Sequence, residues 1–450
     1  MSKTIIYNAV IVNEGERFDG YVIIDGDKIS AVERGQASAD VIESCDTAED
    51  AQGAYLLPGV IDDQVHFRDP GLTHKADIAT ESRAAVAGGV TSFMDMPNTI
   101  PQTVTIAAVK DKQTRAAEVS VANYAFFIGA TNDNIDELLA YDCSEVPGVK
   151  LFLGSSTGNM LVDNEKMLDR IFSEVPALIA VHSEDEAVIR RNKEAMIAKY
   201  GDEVPVSEHP TIRSNEACYV STARAVERAK RCGSRLHVLH VSTADELALF
   251  SSDPLEQKKI TAEVCVHHLW WTDKDYPRLG TRIKWNPAIK SESDRDALRC
   301  GLVDGTLDIV ATDHAPHLLS EKQGTALTAA SGGPFVQFSL PTMMELADQG
   351  VLTLEMVVEK MAHAPAKLFG VEKRGYIRPG YYADIAIVCP GEAYTVTDAD
   401  VVSRCGWTPL DGTVLHNRVV STYVNGHRAY HDGCVDETIC SRPLKFDNHL

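Results

Sequence analysis

Five residues in this sequence carry chemistry worth locating. They are His66 in "GVIDDQVHFRDPGL", Lys150 in "GVKLFLG", His182 in "ALIAVH", His240 in "RLHVLHV" and Asp313 in "TLDIVATDHAPH". Each falls within or just after a short apolar run. Three imidazoles, a carboxylate and a lysine brought together suggest a divalent-metal site of nitrogen and oxygen donors, and zinc suits that set best. Singly, each has an ordinary explanation. His66 or His240 alone would be a satisfied core or surface histidine, and Asp313 could cap the turn at "HAPH". Lys150 is odder, because an ammonium in an apolar strand is costly unless it snorkels to the strand end. A shared site explains all five at once. His237, three residues before His240, is expected on the other strand face in a structural role.

Those residues can meet only if their strands converge. From about 56 to 370 the sequence alternates short apolar strands with helical patterns. "ALIAVH" runs into "SEDEAVIRRNKEAMIAKYG", where Ser183 and Glu186 predict a capping box and Gly201 a stop. "RLHVLHV" runs into "STADELALF", where Thr243 and Glu246 repeat the pattern. Repeated strand-then-helix units over roughly 300 residues favour a closed (β/α)8 TIM-like barrel, whose strand ends gather active-site groups on one face. The first fifty-odd residues alternate with period two instead ("TIIYNAVIV", "GYVIIDGDKISAVE"), and that texture returns in "GYIRPGYYADIAIVCP" and "VVSTYVNGHRAYHDG". The two chain ends are therefore expected to build one small β-sandwich. The organisation is 1–55 sandwich, 56–370 metal-dependent barrel and 371–450 sandwich; the alternative is two separate hairpins capping one domain.

Composition narrows the partners. The 450 residues carry a net charge of −22, from 65 acidic and 43 basic side chains. That argues against nucleic acid or an anionic membrane, but one local arginine can still hold a small anion. Ten scattered cysteines with no C-x-x-C pair read as reduced thiols of a cytoplasmic protein. The first residues do not resemble a signal peptide, and no apolar run reaches the roughly 18 residues of a membrane span.

The stretches "PGVIDDQVHFRDPG", "MDMPNT", "VKLFLG", "VHSEDE", "LHVLHVST" and "ATDHAPH" resemble, in order, the motifs of the amidohydrolase superfamily. Within it they are most similar to the cyclic-amide branch and the dihydroorotases, and "HAPAKLFG" and "GYIRPGYYADIAIV" extend the likeness to the tail. The resemblance implies one or two zinc ions. Lys150 would bridge them as a carbamate, with His182 and His240 on the second metal and His66 and Asp313 on the first. Asp313 would also shuttle a proton, and Arg68, Asn98, Asn286 and His317 would hold a small-molecule substrate. It further implies reversible interconversion of N-carbamoyl-L-aspartate and (S)-dihydroorotate in pyrimidine synthesis. A homodimer or association with aspartate transcarbamoylase belongs to the same expectation.

Chemistry supports those roles. Zinc lowers the pKa of bound water to about 7 and polarises a carbonyl, and a carbamate would turn Lys150 from an awkward cation into an anion. Arg68 bears on the substrate, since a guanidinium fork matches the ring carboxylate of dihydroorotate. Hydantoins, dihydropyrimidines and allantoin have no such carboxylate. Arg68 could instead pair with Asp69. Gln64 departs from the pattern, standing where the family has a histidine, and its amide is a weaker zinc ligand than imidazole. A catalytically silent homologue with a structural role is the reading that Gln64 would favour. "SEKQGTALTAASGGPF" (320–335) has the Gly and Ser content of a mobile lid.

Overall fold

The structure is a computed structural model that describes residues 2–154 and 160–447. Met1 and residues 448–450, the outermost parts of the expected terminal segments, lie outside the described residues. Strands Val60–Val65 and Val90–Asp95 are buried at every position, as expected of strands covered on both faces. They pair in parallel with Asn123–Phe126. A second parallel sheet runs in the order Ile309–Ala311, Ile260–Cys265, Leu236–Val238, Ile179–His182, Val149–Phe152, Ile128–Gly129. The two sheets are neighbours at both edges. Asn123–Phe126 passes almost directly into Ile128–Gly129, and a parallel bridge joins Val65 to His314.

Helices between these strands start on side-chain caps. Asp77 and Thr80 form a reciprocal capping box at Ile78–Ala87, and Ser291 and Asp294 form another at Glu292–Asp304. Gly233, at φ +72, closes Asn215–Cys232 in the left-handed conformation that a side chain disfavours. Two expected caps differ. Helix Glu186–Tyr200 does stop at Gly201, but its cap is Asp185, which accepts from the Val188 amide; the Ser183 hydroxyl donates to Ser221 instead. Thr243 and Glu246 do bond reciprocally, yet they open only a short 3-10 turn, Asp245–Leu249.

The chain ends meet in one nine-stranded sheet. Ile385–Thr395 pairs antiparallel with Tyr55–Pro58, which lies beside Lys3–Asn13. Val414–Val424 alternates exposed and buried residues over its first half, the period-two pattern of a half-covered strand. Among the described residues no helix is long and apolar enough to cross a membrane, and all ten cysteines are free thiols.

A buried polar network joins this sheet to the parallel strands. Asp384 accepts from Arg374, from the Asn425 amide at 2.8 Å and from Asn123 Nδ2 at 3.3 Å. Asn123 begins a parallel strand, so one carboxylate ties two sheets together. Asp384→Ala would leave the Arg374 guanidinium buried without its counter-charge. The expected loss of stability is roughly 3–5 kcal/mol, read as a lower denaturant midpoint in equilibrium unfolding.

Candidate active site

His66 directly follows Val60–Val65, and His182 ends Ile179–His182. His240 and Asp313 each stand two residues beyond a strand, and Lys150 is the second residue of Val149–Phe152. All five line one cleft of about 360 Å³, together with Gln64, Arg68, Asn98 and Asn286. His317 backs the cleft, its Nε2 lying 3.2 Å from an Arg68 terminal nitrogen. The structure thus brings these candidates together at one location, with His317 behind Arg68.

The backbone turns sharply at three of them. Arg68, His240 and Asp313 have φ of +68°, +42° and +45°. Non-glycine residues avoid this region at a cost of about 1–3 kcal/mol, and such strain gathers at functional sites. The turn at His240 breaks strand alternation, so parity does not describe His237. That ring is not simply on an opposite face: it is buried with Asp63 and Glu263, and Glu263 Oε1 accepts from the His240 amide at 2.9 Å.

Neighbours aim each imidazole. Asn98 Oδ1 lies 2.7 Å from His66 Nδ1, leaving Nε2 facing Asp313 Oδ1 at 3.1 Å. His182 Nε2 stands 3.1 Å from Glu184 Oε2, while its Nδ1 faces His240 Nε2 at 2.9 Å. Glu184 is paired with Arg213. Burial works against its charge, but Arg213 and His182 outweigh that and hold it near 2. Burial keeps His182 and His240 below the usual imidazole pKa, and so neutral. Neutral nitrogens converging with a carboxylate form a donor set that fits a divalent cation. Lys150 is 1 % exposed and makes no ion pair among the described residues. Burial lowers its pKa to about 7, against the opposing pull of Asp313 and Glu263.

Gln64 serves a purpose not visible in the sequence. Its Nε2 donates to Asp313 Oδ1 at 3.2 Å, and its Oε1 lies 4.0 Å from the Cys265 thiol. Asp62 also matters: its carboxylate accepts from the Thr312 hydroxyl at 2.6 Å and the Thr312 amide at 3.2 Å. This ties the strand leading to His66 to the segment carrying Asp313. The 320–335 stretch is pinned rather than loose, because fully buried Lys322 donates to the carbonyls of Lys284, Ala330 and Gly332. Asp62, Glu184 and Lys322 all lie inside stretches that the sequence marks, though nothing in those stretches singles the residues out. Asn98→Ala should free the His66 ring and weaken metal binding by about 10–100-fold, measured by competition with a chromophoric chelator.

The amidohydrolase family model matches residues 55–428. A dihydroorotase of Halobacterium salinarum is 37% identical over 375 residues, 81% of this chain and 84% of its own. An allantoinase of Streptomyces avermitilis is 33% identical over 94% of both chains. The solved L-hydantoinase (dihydropyrimidinase) from Arthrobacter aurescens superposes with a TM-score of 0.93 at 26% identity, covering 99% of this chain and 100% of its own. With most of its length matched by the family model and by these relatives, the chain belongs to the amidohydrolase family, among the hydrolases of cyclic amides.

Proposed function

We propose that this protein is a dihydroorotase, interconverting N-carbamoyl-L-aspartate and (S)-dihydroorotate with release of water on ring closure. The observation that carries the reading is Arg68. Its side chain is 2 % exposed and makes no ion pair among the described residues. Asp69, the alternative partner, lies against Arg115 instead, at 3.5 Å. The guanidinium donates through Nε to the Pro316 carbonyl at 3.1 Å and meets His317. Burial together with Arg68, Lys75 and Lys322 holds His317 far below the usual imidazole pKa, so it contributes no positive charge of its own. A buried guanidinium lacking a counter-ion is costly, and a ring carboxylate supplies the missing charge in the same cleft as the imidazoles. The allantoinase and hydantoinase likenesses favour the rival substrates, which offer Arg68 no carboxylate.

In this reading His66 and Asp313 would hold one metal, and Lys150, His182 and His240 the other. When bound, zinc would supply Lewis acidity to the ring carbonyl and to water. Lys150, with a pKa brought down to about 7 by burial, is available as a free amine. As a carbamate, formed by adding to carbon dioxide with loss of one proton, it would supply an anionic ligand. Asp313 takes the proton from attacking water and delivers it to the ring nitrogen as the amide C–N bond breaks. Gln64 and His66 fix the carboxylate that does this. Asn98 and Asn286 line the cleft beside the substrate.

We also infer that the two parallel sheets close into one (β/α)8 barrel, supported by the Val65–His314 bridge. In the same reading the nine-stranded sheet, folded on itself, forms the small terminal β-sandwich, with boundaries near 55 and 370.

Arg68→Lys keeps the charge but loses the fork. Turnover of dihydroorotate should fall about ten- to a hundredfold, the worth of one charge-assisted hydrogen bond, with metal content unchanged. Unchanged kinetics would remove the case for a ring carboxylate. Gln64→His tests the metal positions. Chelator titration should show two release phases in the natural protein, and the substitution should slow the first alone. Metal-replete protein without dihydroorotate hydrolysis, unrescued by this substitution, would indicate a silent homologue.

A further inference from the structure

Outside the cleft, Asp63, His237 and Glu263 form a second cluster that the proposed reaction does not use. All three are fully buried. Both Asp63 carboxylate oxygens, His237 Nε2 and Glu263 Oε2 lack a hydrogen-bond partner among the described residues. Yet His237 Nε2 lies 3.5 Å from Asp63 Oδ2 and 3.7 Å from Glu263 Oε2. One ligand atom from each residue falls within 4.8 Å of the others.

Hydrogen bonding around the ring settles its tautomer. The Thr261 hydroxyl lies 3.3 Å from the Leu236 carbonyl, which it can only donate to. Its oxygen therefore accepts from His237 Nδ1 at 2.9 Å, so Nδ1 carries the hydrogen and a neutral ring has its lone pair at Nε2. That lone pair points at two carboxylates. Three buried acceptors facing one another call for a positive centre or a proton between them. The separations exceed the roughly 2.7–3.2 Å of an ordinary N–H···O bond. They approach the edge of about 3.3 Å expected for ligands spaced tetrahedrally around zinc at 2.0–2.1 Å.

We propose that Asp63, His237 and Glu263 bind a divalent cation of the zinc class at a structural site separate from the cleft. With both carboxylates ionised and the imidazole neutral the cluster would carry −2, which one such ion would cancel. The ion would cross-link strands Val60–Val65, Leu236–Val238 and Ile260–Cys265. The second Glu263 oxygen accepts from the His240 amide at 2.9 Å and from the Cys265 thiol at 3.4 Å. Fixing Glu263 therefore fixes the strained backbone that presents His240 to the cleft. The competing occupant is a proton, on Nε2 or on Glu263, whose carboxyl burial and Asp63 push up to about 8. Burial lowers the pKa of His237, but Asp63 and Glu263 outweigh it and bring the ring to about 9.

Diffraction from crystals of the unaltered protein grown with zinc, recorded above and below the zinc absorption edge, separates the two. An anomalous peak among Asp63, His237 and Glu263 is expected, distinct from any peak in the cleft. Peaks confined to the cleft, or none in the crystal, would overturn the site and leave a proton shared within the cluster in its place. In solution, Asp63→Asn should release one equivalent of zinc per chain, and Lys150→Ala should retain that same equivalent. The diffraction result needs no substitution, so it decides the matter even if Asp63→Asn does not fold.

Discussion

Polar groups withdrawn from water where the parallel strands end must find partners, and much of the protein is arranged around that requirement. Removing an unpaired polar group from water costs several kcal/mol in apolar surroundings, and an unpaired charge costs more. Asn98 therefore meets one nitrogen of His66 and Glu184 meets one nitrogen of His182. Arg213 in turn meets Glu184. Each contact occupies the back of a ring and leaves its front directed into the cleft. Arg68, which makes no ion pair among the described residues, and the imidazoles that face one another define the chemistry a ligand would bring.

The same logic accounts for Lys322. An ammonium fully buried behind the cleft gathers three backbone carbonyls, and in doing so folds a Gly- and Ser-rich stretch into an ordered wall. Ser331 and Gly332 from that wall line the cleft. Gly332, at φ +117°, has no room for a side chain: a Cβ would lie 2.7 Å from the Ala315 carbonyl oxygen. A sequence that reads as loose is held by one charge finding its acceptors.

Gln64 shows how a missing donor can be compensated without being replaced. Its amide does not imitate an imidazole; it donates to Asp313 while His66 meets the same oxygen. A carboxylate held by two neighbours keeps its position whether or not a third ligand is present. Beside Gln64, Asp63 joins His237 and Glu263, so two consecutive residues belong to separate polar centres linked through strand Val60–Val65.

The sequence alone determined which residues are candidates for the chemistry and their places on the chain. In repeated strand-then-helix units, a polar residue closing an apolar run sits at a strand end, and that is a local relation. His66, His182, His240 and Asp313 were legible for this reason, as was the period-two texture of both chain ends. Tertiary structure decided what each side chain touches. Gln64 and Asp313 lie 249 positions apart, and His237 becomes part of a cluster only when Asp63 and Glu263 reach it. The choice of Asp185 over Ser183 as a helix cap was likewise unreadable, because Ser183 is diverted to Ser221, 38 residues away. Hydrogen bonds and charges select partners by distance in space, and only the folded chain sets those distances.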